Sequence, residues 1–121
     1  EIDLIRLVAP TTNIDRLKTI LSNASGFLYY VTITGITGQK SADMDELKKS
    51  ISEIRKYTSL PIVAGFGIKN KDHVKEICKF ADGAVVGSSI VKIIEENIND
   101  TNKMISIIDN FSKELKSGTI L

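Results

Sequence analysis

The 121-residue chain contains one cysteine and one histidine. Cys78 has no partner for an internal disulfide, which fits a reducing, cytosolic setting. One residue of each type also leaves no cluster of metal ligands. Charge of either sign is scarcely in excess. Sixteen Lys and Arg against 15 Asp and Glu leave a net charge of +1, so charge points to no nucleic acid or other polyanionic partner. No apolar run approaches the ~18–20 residues that a membrane-spanning helix needs. Residues 1–6 lack the basic region and cleavage pattern of a signal peptide. The chain begins with Glu1 rather than Met, as expected of a fragment or a processed product. Pro/Gly/Ser-rich linkers are missing too, so residues 1–121 read as a single unit without an internal boundary.

What is present is apolar periodicity. Residues 4–9 form a short apolar run that reads as a strand, ended by Pro10, with Thr11, Thr12 and Asn13 placed to cap a helix. Ile14, Leu17, Ile20, Leu21 and Ala24 fall on one helical face, and Ser25-Gly26 closes that helix. Residues 27–33 give the strongest strand signal. By parity Phe27, Tyr29, Val31 and Ile33 share one face, and Leu28, Tyr30 and Thr32 the other. Residues 34–42 form a loop longer than the ~2–6 residues of a usual βα connection, as functional loops are. Asp43 and Glu46 match a capping box, and Met44, Leu47, Ile51 and Ile54 mark an amphipathic helix. Residues 61–68 make a third strand with Gly65 and Gly67 near its end. Asn70 caps a helix whose buried stripe is Val74, Ile77, Cys78 and Ala81. Residues 83–86 make a fourth strand that stops at Gly87, and Ser88 and Ser89 stand as caps of the next helix. Asp100 or Thr101 caps a last helix with Met104, Ile105, Ile108, Phe111 and Leu115 inward, and the tail after Gly118 frays.

This β-α-β-α-β-α-β-α order, plus one helix, is that of a parallel α/β sheet with right-handed crossovers. Two architectures fit: a four-stranded doubly wound sheet, or half of a (βα)8 TIM barrel of typically ~250 residues. The glycines favour the barrel. Gly65, Gly67 and Gly87 follow the last two strands, where barrels often build phosphate sites. The chain then reads as a carboxyl-terminal (βα)4 half-barrel with one extra helix. Backbone N–H groups of Gly38, Gly67, Gly87 and Ser88, with the Ser88 hydroxyl, ring a phosphate in this arrangement. Glycine lets a ligand reach the backbone, and a helix N-terminus adds its dipole. Any one of these turns alone is ordinary turn geometry; three at matching strand ends favour a site.

Three stretches carry a family likeness: residues 27–38 (Phe-Leu-Tyr-Tyr-Val-Thr-Ile-Thr-Gly-Ile-Thr-Gly), Gly65-Phe-Gly-Ile68, and Ala81-Asp-Gly-Ala-Val-Val-Gly-Ser-Ser-Ile-Val-Lys92. In order and spacing they resemble the tryptophan synthase α subunit, over nearly all of this chain but only the second half of the family's barrel. The resemblance implies a lyase that cleaves indole-3-glycerol phosphate to indole and glyceraldehyde 3-phosphate in tryptophan biosynthesis. It implies that Gly38, Gly67, Gly87 and Ser88 hold the substrate phosphate. Tyr29, with Val8, Val31, Phe66 and Val85, would line the apolar slot for the indole ring. Thr37 would help order a catalytic carboxylate when the loop at residues 34–42 closes as a lid. It implies no cofactor in this chain, because pyridoxal phosphate belongs to the partner β subunit that receives the indole.

The acid and base that the cleavage needs are a Glu and an Asp from the family's first half. This chain's own carboxylates read as caps (Asp15, Asp43, Asp72) or outer helix faces (Glu46, Glu53, Glu76, Glu95, Glu96), so the chain alone is expected to be inactive. His73 reads as a solvated surface residue, Cys78 as packing, and Arg6 as half of a structural ion pair. Two functions from different classes follow: part of the lyase, or a non-catalytic phosphate-binding half-barrel or assembly module. In either case the raw edge strands, residues 4–9 and 83–86, call for a missing amino-terminal half or a second copy.

Overall fold

In the computed structural model residues 2–31, 40–65 and 67–120 are described. The elements run β1 (Arg6–Val8), α1 (Ile14–Leu21), β2 (Leu28–Val31), α2 (Lys40–Arg55), β3 (Ile62–Gly65), α3 (Lys71–Cys78), β4 (Gly83–Ala84), α4 (Ser88–Glu96) and α5 (Thr101–Ser117). Short polar side chains start three of the helices. Asn13 accepts from the Arg16 N–H at 2.9 Å, Asn70 from the His73 N–H at 3.0 Å, and Asp100 from the Lys103 N–H at 3.0 Å. Each satisfies a backbone donor that a helix leaves free at its first turn.

The four strands are parallel and lie in sequence order, β1-β2-β3-β4. A doubly wound sheet requires the strand order to reverse. Here it never does, so successive right-handed crossovers put the three connecting helices, α1 to α3, on the same face. The fold is therefore α/β of the half-barrel kind. Val8 pairs with Tyr30 and Tyr30 with Ala64, and Leu28 with Ile62. These five side chains, 0–3 % exposed, form the strand half of the core. Leu17, Leu47, Ile51, Ile54, Val74 and Ile77 close over them from the helices. Leu7, on the opposite face, is 61 % exposed.

At the amino ends of the strands, Asp82 locks three elements together. Its carboxylate accepts from the Ile62 N–H at 2.7 Å and pairs with the Arg55 guanidinium. This joins the end of α2 to the starts of β3 and β4. Burial raises the Asp82 pKa, but the Ile62 N–H and the Arg55 charge outweigh it and hold the carboxyl below its usual range.

Several expectations are corrected. β4 is only two residues long, and one bond at each end, Asp82 N–H to the Ile62 carbonyl and Val85 N–H to the Ala64 carbonyl, both at 2.9 Å, extends its pairing. Helix α2 already begins at Lys40, so Asp43 lies within the helix rather than ahead of it. Ile105 is 58 % exposed rather than inward. Arg6 has no ion pair among the described residues, and its Nε is buried without a hydrogen-bond partner. Gly118, just past the end of α5, is buried: a Cβ there would stand 3.1 Å from the carbonyl carbon of Lys71. The first helix ends at Leu21, and Gly26 serves the following turn with φ +71°, where a Cβ is strained.

Candidate functional site

The carboxyl ends of β3 and β4 carry the candidate site. Just past β3, Gly67 has φ +50°. That left-handed backbone suits glycine alone among common choices, and the next residue, Ile68, is anchored in the core at 3 % exposure. Past β4, Gly87 is the N-cap of α4, with φ −119° and no side-chain cap. Ser88 is therefore the first helical residue, and neither Ser88 nor Ser89 is the N-cap. The Gly87 carbonyl accepts from Ile90 N–H at 2.9 Å and Val91 N–H at 3.1 Å. The amides of Ser88 and Ser89 precede that first bond, in the turn where helix N–H groups lack intrahelical acceptors. A Cβ on Gly87 would meet nothing within 4 Å, so its missing side chain leaves open space beside the helix start. Ser88 is exposed in that space. The Ser89 hydroxyl donates to the Ile68 carbonyl at 3.1 Å and joins the two turns.

The aromatic wall comes from β2. Tyr29 and Val31 are half-buried on the face opposite the helices. Val31 pairs with Gly65, and the Tyr29 ring lies across that glycine: a Cβ at Gly65 would sit 2.8 Å from Tyr29 Cε2. Gly65 thus makes room for Tyr29. A glycine inside a strand is the sequence signal for such a close approach; Gly65 is expected as part of a turn and Ser89 as a cap, and the Tyr29 and Ile68 contacts they make instead are what the sequence reading misses. Val85, just past β4, keeps one bond to β3 through its N–H and is 36 % exposed. Val8 is not brought to this wall. Its pairing with Tyr30 puts it on the helix-covered face, 3 % exposed, and Leu7 occupies the Tyr29 side instead. Thr37, Gly38 and Phe66, and most of the loop expected at residues 34–42, lie outside the described residues.

The other titratable groups stand elsewhere. Glu53, Glu76, Glu96 and Asp109 pair with lysines on exposed helix surfaces. Asp82 is at the amino ends of the strands. His73 is half-buried, and its Nδ1 accepts from the Lys69 N–H at 3.3 Å. Cys78 packs at the core's margin, where burial pushes its thiol pKa up, away from the reactive thiolate. A cavity of about 350 Å³ borders Val8, Leu17, Tyr30, Ser50 and Ile54 between α1 and α2; it is on the helix side of the sheet, not the Tyr29 side. Among the described residues no group of His, Cys, Asp or Glu is placed to hold a metal, and no helix is long and apolar enough to cross a membrane.

Residues 1–120 match the family model described as tryptophan synthase alpha chain. The tryptophan synthase alpha chain of Methanocaldococcus jannaschii is 48% identical over 103 residues, 85% of this chain and 37% of the relative. That of Petrotoga mobilis is 46% identical over 95% of this chain and 45% of its own length. The crystal structure of tryptophan synthase subunit alpha from Legionella pneumophila superposes with TM-score 0.80 at 26% identity, covering 97% of this chain and 42% of that one. The chain thus spans less than half the length of these relatives.

Proposed function

This chain belongs to the tryptophan synthase alpha chain family, and we propose that it is the carboxyl-terminal part of a lyase that cleaves indole-3-glycerol phosphate to indole and glyceraldehyde 3-phosphate. The observation that carries this reading is the pairing of two backbone turns at one sheet end: Gly67 at φ +50° and the open first turn of α4 at Gly87. Both offer N–H groups without a side chain in the way, and the α4 dipole adds positive potential where a phosphate dianion sits. Gly67, Gly87 and Ser88 hold the phosphate, and Gly38 supplies a further N–H. Tyr29, Val31, Val85 and Phe66 flank the indole ring; Val8 has no part in the slot. Thr37 orders a carboxylate as its own loop, residues 34–42, closes.

Cleavage needs an acid to protonate indole C3 and a base to accept protons from the ring nitrogen and a glycerol hydroxyl. As the C–C bond breaks, its electrons pass to the ring and the hydroxyl carbon becomes the aldehyde. These carboxylates belong to the remaining length of the relatives. The partners are that remaining part, or a second copy closing the sheet, and a β subunit whose pyridoxal phosphate consumes the indole; the setting is cytoplasmic. For the chain by itself, the lack of a carboxylate at the strands' carboxyl ends, among the described residues, favours phosphate binding without catalysis. An indole-release assay tests both statements. The pure chain is expected to produce none and to bind glycerol 3-phosphate; indole production by the pure chain, or failure to bind, would count against the proposal.

A further inference from the structure

We propose that Ser89 is a positioning residue for the anion site, acting through Ile68 rather than touching the ligand. The inference rests on the phosphate reading above and deepens it. Ser89 lies in the first turn of α4, where a serine hydroxyl usually satisfies a donor of its own helix. Here it reaches across instead and donates to the Ile68 carbonyl at 3.1 Å. Ile68 directly follows Gly67, whose left-handed φ presents its amide. The far side of Ile68 is fixed by its side chain in the core, 3 % exposed. The hydroxyl therefore sets the separation of the two turns that hold the phosphate. Past the β3–β4 ladder, whose last bond runs from the Val85 N–H to the Ala64 carbonyl, no other hydrogen bond joins the two turns among the described residues, and the space beside Gly87 is open. Without the hydroxyl, each turn samples its own positions. Anion binding must then order both, which lowers affinity.

The test is calorimetric titration of the chain with glycerol 3-phosphate, alongside thermal unfolding. Ser89→Ala is expected to weaken binding roughly three- to tenfold, as loss of one ordering hydrogen bond does, with the unfolding midpoint nearly unchanged. Ser89→Thr, which keeps the hydroxyl, is expected to restore affinity. Ser89→Cys, of similar shape and with a weaker donor, should fall between them, and it carries the test if the alanine variant folds poorly. Unchanged affinity in both the Ala and Cys variants, with binding by the parent chain intact, would overturn the role of Ser89 and leave the phosphate site standing. No binding by the parent chain would overturn the phosphate reading itself and the inference with it.

Discussion

Tyr29 and Tyr30 are neighbours on one strand and face opposite environments. Tyr30, 2 % exposed, lies under the helices with Val8 and Ala64. Tyr29 lies half-buried on the uncovered face, its ring across Gly65. The two faces divide the work of the chain. The helix-covered face is closely packed with large apolar side chains and supplies the stability. The open face carries glycines and half-buried groups, which store little folding energy and leave the backbone reachable. Sequential strand order is what permits this division, because it leaves one whole side of the sheet without helices.

Substitutions on the covered face are the strongest way to break the comparison. Ile62→Ala, at a site 0 % exposed, is expected to cost about 3–4 kcal/mol by loss of burial and creation of a cavity, as read by urea unfolding. Leu7→Ala, one position off the core parity and 61 % exposed, is expected to cost under about 0.5 kcal/mol in the same assay. Equal costs would erase the distinction between faces.

Glycines sharpen it. At Gly118 a methyl would press on the Lys71 backbone, 3.1 Å from its carbonyl carbon. Gly118→Ala is expected to destabilise by about 2 kcal/mol, as overpacking against main chain does, with calorimetric melting as the check. Gly87→Val enters open space at an unstrained φ. It should leave the melting temperature almost unchanged while abolishing glycerol 3-phosphate binding.

Asp82 gives a smaller, pH-dependent effect. Its carboxyl is held below the ordinary 3.8 in the folded chain. The ionised form is therefore favoured by folding, and its contribution is present above that ordinary value. It is lost as pH falls through the lower folded pKa. Asp82→Asn should lower the unfolding midpoint at pH 7 and make little difference near pH 2. A pH-independent deficit would assign the effect to packing rather than to the ionic clamp.

Much of this was legible in the residues. Asn70 announces its helix, because a short side-chain acceptor there has one obvious task; at the first and last helices several such residues stood side by side, and the structure selects Asn13 over Thr11 and Thr12 and Asp100 over Thr101. The alternation in residues 28–31 separates Tyr29 from Tyr30 correctly. The Val8 face was not legible. Residues 4–9 are apolar almost throughout, so no alternation marks a face, and pairing with β2 decides it. The short β4 and the early start of α2 are likewise set by neighbours, not by local propensity. Gly118 carries no local signal at all; only the approach of Lys71 from α3 makes its missing side chain matter. At the candidate site, Gly67 and Gly87 were readable as backbone exposed after a strand. The Ser89 contact was not, because its acceptor is 21 positions away in sequence.

The central claim is that anion binding belongs to the joined turns at the carboxyl ends of β3 and β4. Amide NMR spectra recorded during titration with glycerol 3-phosphate test it most directly. The account predicts saturable shifts at Gly67, Gly87, Ser88 and Ser89, with the Arg16 and Lys103 amides at other helix starts unmoved. Equal shifts at all helix starts, or none at Gly67 and Gly87, would contradict it.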